Sequence, residues 1–326
     1  MYVRLQTIKV LSMRHDAIRF SLVCAALTAV LVVGPARHGF AVEGGQGHYP
    51  LGFAGWQAGL VPPEAGTYFK NYMRFYDGKA RAEVRGGDIA LGLDQSSFLE
   101  ILSFTRVTNL QVLGGDVFGS VFVPFTNADV SGTLETPLGN FFRKESASGY
   151  SDMSVAGGLG WHTEKLHWNV VTTVYMPTGN FDTGALAYTG MGYWTVEPAV
   201  GFTYLNMENG RQISLFAALD FNSQNPQTDY KSGDEFHLDF LLAQHLGEKF
   251  AVGLTGYYYD QLTNDSGAGA ILGGYQGQSV ALGPALQYAT KLCGHDLSAE
   301  FKYFREFDMR NRFRGNNYWF NLAYAF

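Results

Sequence analysis

Six histidines lie beyond residue 41: His48, His162, His167, His237, His245 and His295. Together with nearby serines and carboxylates they are the residues whose types and spacing could do chemistry. A Ser–His nucleophile pair on one face of an extended strand needs the two residues two positions apart, because side chains alternate between faces. None of the six histidines is followed two positions later by Ser, so hydrolysis at such a pair is disfavoured and no catalytic residue is assigned. His237 and Asp239 do share a strand face at about 7 Å, close enough to pair through a cross-strand neighbour. His245 lies about 27 Å from His237 by strand rise, too far for a common metal, and no metal site is expected. Gly277-Gln278-Ser279-Val280-Ala281 has the outline of a nucleophile elbow, but such an elbow joins a strand to a helix and this one would open a strand. The Gly-rich stretches 157–160 and 267–274 lack the lysine and following helix of a phosphate loop. No cofactor is implied.

The elements that must position these residues are set by composition. Aromatics make up 15% of the 326 residues and glycine contributes 40, yet the mean hydropathy is only −0.06. A helical membrane protein would be far more apolar. Arg14 and Arg19 precede an apolar run, Phe20 to Val33, and Gly39-Phe40-Ala41 fits a small-x-Ala cleavage site, so residues 1–41 read as a signal peptide. The run is too short to span a bilayer, which needs about 20 apolar residues in a helix. That leader holds five basic residues and one acid (Asp16), so the formal charge of −6 for the whole chain becomes −10 beyond it. Such acidity argues against a nucleic-acid partner, which needs a basic face. Of two cysteines, Cys24 falls in the leader, leaving Cys293 alone and excluding an intramolecular disulfide in the exported chain.

From Gly66 onward the sequence divides into segments of about ten residues with period-two alternation. The clearest is the last: Tyr318, Phe320, Leu322, Tyr324 and Phe326 fall on one face, Trp319, Asn321, Ala323 and Ala325 on the other. Ile213-Leu215-Ala217-Leu219-Phe221 and Phe236-Leu238-Phe240-Leu242 repeat the pattern, with Ser214, Asp220, His237 and Asp239 between the apolar positions. A polar interior and an apolar exterior follow. Strands are predicted at 66–76, 97–108, 117–125, 151–162, 166–176, 193–204, 211–222, 234–245, 248–260, 278–291, 295–306 and 317–326, joined by alternating long and short connections. This is the layout of an all-β, transmembrane, antiparallel up-and-down barrel of about 12 strands, with long loops such as 77–96 and 126–150 at one end and short turns at the other. No later run is long enough for a membrane helix, so a barrel is the structure that can satisfy the backbone in lipid.

Aromatics near strand ends (Tyr68, Tyr72, Tyr76, Trp161, Trp168, Tyr175, Trp194, Tyr204, Tyr257, Tyr258, Tyr259, Tyr303 and Trp319) are expected in the two interfacial girdles. Lys70, Arg74, Glu197, Glu300 and Lys302 are expected to face the lumen with His237, Asp239, Tyr257 and Tyr259, because a charge at the lipid midplane costs about 2–4 kcal/mol for Arg or Lys. Residues 42–65 are dense in Gly and Pro but carry Tyr49, Leu51, Phe53, Trp56 and Leu60. They are expected either to fold into the lumen as a plug through Tyr49, Phe53 and Trp56, or to form a periplasmic tail.

These residues carry a family resemblance. Gly47-His48-Tyr49-Pro50, Pro62-Pro63, Pro177-Thr178-Gly179-Asn180-Phe181, Glu197-Pro198, Thr228-Asp229-Tyr230, Tyr257-Tyr258-Tyr259-Asp260-Gln261 and Leu282-Gly283-Pro284 resemble the outer-membrane proteins associated with meta-cleavage pathways of phenol degradation. The resemblance runs from about residue 44 to 326. It implies an outer-membrane location in a Gram-negative bacterium and uptake of hydrophobic or aromatic compounds, and it supplies no binding site. Phe326 resembles the terminal aromatic read by the barrel-assembly machinery. The expected function is passive passage of a small hydrophobic or aromatic solute, with outer-membrane lipid as surroundings. The alternatives are a structural or interaction barrel without transport and a membrane-embedded hydrolase.

Overall fold

The computed structural model describes residues 43–84, 89–270 and 273–325; the leader at 1–41 and the terminal Phe326 lie outside the described residues. After a 3-10 turn at Glu43–Gly45 come thirteen strands: β1 (Gly66–Val84), β2 (Ile89–Val112), β3 (Gly115–Thr136), β4 (Gly139–Tyr150), β5 (Ser154–His162), β6 (Leu166–Tyr175), β7 (Thr195–Asn206), β8 (Arg211–Asn222), β9 (Glu235–Leu246), β10 (Phe250–Gln261), β11 (Gln278–Leu292), β12 (His295–Arg310) and β13 (Arg314–Ala325). No helix among the described residues is long and apolar enough to cross a membrane.

Twelve of these strands close into a ring. β1 pairs with β2 on one side and with β13 on the other, Tyr68 opposite Ala325 and Lys79 opposite Arg314. β2 pairs with β3, β3 with β5, and each later strand with the next, all antiparallel. β4 stands outside the ring. It pairs with the far half of β3, Phe125 opposite Tyr150, while β5 pairs with the near half, Asp116 opposite Gly160. The chain therefore runs back along β3 in two pieces, broken at 151–153.

The side-chain alternation is that of a membrane barrel. Ile213, Leu215, Leu219 and Phe221 of β8 are exposed on the outside, whereas Gln212, Ser214, Asp220 and Asn222 are buried within. Apolar outside and polar inside inverts a soluble barrel and is stable only in lipid, where the closed ring leaves no unpaired edge across the apolar band. Short turns, including Leu113-Gly114 and Cys293-Gly294 with left-handed backbone at both residues, mark one end. Long connections mark the other.

Two expectations change. The stretches 77–96 and 126–150 are largely strand, because β1 to β4 run on past the ring: β2 has 24 residues where β6 has 10. Several girdle candidates also turn inward. Tyr76, Tyr257, Tyr259 and Trp319 are buried in the lumen, since they alternate with outward residues such as Phe75, Tyr258 and Tyr318. Trp168 and Trp194 remain exposed on the outside, and Trp161 stacks on Trp168 at 6.2 Å.

Candidate transport lumen

Residues 43–65 descend the inside of the ring from the long-loop end to the short-turn end. At the top, Glu43 N–H donates to Ser232 Oγ (3.2 Å) and its carboxylate accepts from Asn225 (2.8 Å). His48 sits between Thr195 Oγ1 (2.7 Å) and Asp152 Oδ2 (3.0 Å). Asp152 lies at the break between β4 and β5 and also accepts from the backbone N–H of Gly179 and Met191, tying the 176–194 connection to the same point. Beside that connection, burial with Asp265 close by pushes the Tyr230 phenol up from its ordinary value, so it donates to Asp265 (2.6 Å) rather than ionising.

At mid-height the strands meet the segment with polar side chains. Tyr49 donates to Asp239 (2.6 Å), which also accepts from Ala54 N–H (3.0 Å). Lys302, fully buried, donates to three successive carbonyls, Gly52, Phe53 and Ala54, at 2.5–2.9 Å. Asn317 and Trp319 both donate to the carbonyl of Leu51. A segment with no regular structure thereby satisfies its backbone from the barrel wall, as a buried chain must. Lower down, Asn169 donates to Ala58 O and Gly59 N–H to Thr203. The approach is close: a Cβ on Gly59 would sit 2.5 Å from the backbone at Phe202 and Thr203, and one on Gly201 would collide with the carbonyl of Ala58. Tyr49, Leu51 and Trp56 are buried, and Phe53 packs on Tyr72 with ring centroids 4.3 Å apart.

All the strand residues expected at the lumen wall are on its inner face, but not in open water. Glu197, His237, Asp239, Glu300, Lys302, Tyr257 and Tyr259 are nearly or fully buried. Each charge has a specific setting: Lys70 pairs with Glu300 at 2.9 Å, Arg74 donates to Asn317, Tyr257 to Glu306, and Arg312 lies 3.9 Å over the Tyr259 ring. His237 and Asp239 do not pair with each other. Asp239 holds Tyr49, and His237 faces Glu197 and Asp220 at 3.4 and 3.7 Å. Sequence reasoning did not single out Asp152, Asp220 or Glu306. Asp220 was visible as the polar position between Leu219 and Phe221, but its partners lie on other strands.

Three cavities follow the segment down the barrel. The upper one, about 400 Å³, includes Arg74, Tyr76 and Arg312. The middle one, about 290 Å³, has an apolar wall formed by Leu99, Ile101, Phe118, Phe122, Val171 and Phe216. The lower one, about 1030 Å³, reaches the short-turn end at Glu248 and Lys249. The middle cavity shares Tyr49 and Leu99 with the upper, and Phe53 and Tyr72 with the lower, so the three are contiguous.

Among solved structures, an outer membrane channel from Pseudomonas putida F1 superposes with a TM-score of 0.57 at 13% identity, covering 83% of this chain and 97% of that one. The beta domain of the Bordetella autotransporter BrkA scores 0.41 at 12% identity (81% and 100% covered), and the CymD monoaromatic hydrocarbon channel 0.40 at 8% (80% and 88%). At these identities the first match shows a shared fold. No curated protein matches the chain. The family described as "Putative MetA-pathway of phenol degradation" matches residues 80–322, most of the sequence and nearly all of the barrel, and the protein belongs to that family.

Proposed function

We propose that the protein is a channel in the outer membrane of a Gram-negative bacterium, delivered there after removal of a signal peptide, that admits small hydrophobic or aromatic compounds down their gradient. The observation that carries this reading is the apolar middle cavity, bounded by Ile101, Phe118, Phe122, Val171 and Phe216 and placed between more polar cavities on the path. A dry apolar cavity of about 150 Å³ suffices to bind benzene, so about 290 Å³ has room for a substituted single-ring compound. Burying such a solute against the apolar side of this wall is favourable by about 25 cal/mol per Å² of apolar surface, while Thr105, Ser120 and Asn169 on the same wall can meet a phenolic hydroxyl. The family's link to phenol degradation agrees with that chemistry. Residues 43–65 act as the constriction, which favours slow, selective passage over bulk ion flow.

The test is solute entry into proteoliposomes holding the purified barrel, with a small phenol or toluene-like compound compared against a sugar of similar mass and empty liposomes as the leakage control. Faster entry of the aromatic than of the sugar, above the control, supports the reading. Equal entry of both would make it a general porin, and entry of neither would make it a structural barrel.

A further inference from the structure

We infer that Glu197, Asp220 and His237 form a divalent metal site, of the kind that takes Zn²⁺, in the lumen wall behind the N-terminal segment. The three residues come from adjacent strands, β7, β8 and β9, and one ligand atom from each lies within 4.8 Å of the other two. All three are buried to 1% exposure or less. Both ring nitrogens of His237 and Oδ1 of Asp220 lack a hydrogen-bond partner, an arrangement that buried polar groups rarely tolerate unless something else completes them.

The spacing indicates what completes them. If His237 were an imidazolium clamped between two carboxylates, charge-assisted hydrogen bonds would draw its nitrogen to about 2.7–2.9 Å from their oxygens. It stands instead 3.4 Å from Glu197 Oε2 and 3.7 Å from Asp220 Oδ2. Ligands bound at about 2.0–2.1 Å to a tetrahedral ion lie about 3.3–3.4 Å apart along each edge, so these separations are close to those of ligands around one ion. An imidazole with two carboxylates suits Zn²⁺ and its borderline neighbours. Charge points the same way. A divalent ion with two carboxylates and a neutral imidazole is net neutral, which lowers the cost of burying two acids in a water-poor wall.

The surroundings supply support and an approach. Tyr175 donates to Glu197 Oε2 (2.9 Å), orienting that carboxylate from outside the cluster. Glu197 and Tyr175 also line the middle cavity, through which an ion would arrive. The ring of Tyr49 stacks on His237 with centroids 3.7 Å apart. A metal that fixes His237 thus fixes the platform on which the N-terminal segment rests.

The experiment is titration of the full-length purified barrel, stripped with chelator, with Co²⁺ alone, followed by visible absorption and by metal content after dialysis. One equivalent, with the intense visible bands of tetrahedral Co²⁺, is expected in the parent protein. His237→Gln and Asp220→Asn should each weaken binding by at least about 100-fold, beyond the 10–100-fold that loss of an outer partner costs. Should either fail to fold, Glu197→Gln tests the same site, and His245→Gln is the control that keeps full binding. Absence of a stoichiometric ion in the parent would overturn the inference and leave a buried ion-pair triad. So would binding that survives His237→Gln but is lost with His167→Gln, which would assign the ion to His162 and His167, whose Nδ1 atoms are 3.1 Å apart.

Discussion

Lys302 carries an ammonium group into a fully buried position and surrounds it with three backbone carbonyls from Gly52, Phe53 and Ala54. A compact cation with three donors suits three convergent acceptors, and each acceptor belongs to a segment that lacks a sheet partner of its own. Lys302→Met keeps the stem and removes the donors, orphaning carbonyls that cost about 1–3 kcal/mol each when buried without a partner. The expected outcome is a lower unfolding midpoint in urea and more frequent channel opening in planar bilayers. Unchanged bilayer currents would mean that the lysine does not hold the segment. Tyr49→Phe removes the single hydroxyl donor to Asp239, with an expected cost of about 1.5–3 kcal/mol for a hydrogen bond to a charged group, read in the same unfolding measurement.

At the scale of elements, the wall and the segment fit because small residues sit where they cross. Gly201 on β7 faces the carbonyl of Ala58 with no room for a Cβ. Gly201→Ala should push the segment off the β6–β7 wall, raising single-channel conductance several-fold while the barrel still forms; a parent-like conductance would show that the segment tolerates displacement there. Ile101→Trp should fill the middle cavity and slow aromatic entry into proteoliposomes by about tenfold, with no comparable change for ions that bypass it.

The same elements show what the sequence could and could not reveal. Strands such as β8 and β13 were legible because lipid on one side and polar groups on the other impose strict alternation. β2 shows no such alternation, because Leu99 and Ile101, which line the middle cavity, oppose the outward Leu102 and Phe104, so both faces are apolar. The outer parts of β1 to β4 read as loops because, past the twelve-stranded ring, no lipid enforces a pattern; Asp129, Ser131 and Thr133 stand opposite Ser146, Lys144 and Phe142, a mixed set without apolar alternation. The grouping of Glu197, Asp220 and His237 depends on the register of three strands, and no single stretch of sequence carries that.

For the whole molecule, residues 43–65 lie inside the ring, and the proposed constriction follows from that placement. Deleting residues 42–62 leaves β1 and its pairing with β13 in place but removes the tyrosine, phenylalanine and tryptophan that fill the bore. Conductance in planar bilayers should rise, and the preference for an aromatic over a sugar should fall, because the middle cavity loses the wall supplied by Tyr49, Phe53 and Leu60. An unaltered conductance after deletion would sink the idea that the segment is the constriction.

The lengthwise course of residues 43–65 also has a topological side. The segment is threaded along the bore of a ring sealed by the β1–β13 seam, and it is covalently joined to that ring only at Gly66, by the short-turn end. Threading and sealing must therefore be ordered events when the barrel is assembled. Once the seam is shut, release has a direction as well. With residues 1–41 removed, as proposed, the free end lies beside Glu43 and its contacts to Ser232 and Asn225, and release from that end would run through His48 and Tyr49 before reaching Lys302, which would give the connections at the long-loop end control over how readily the bore clears.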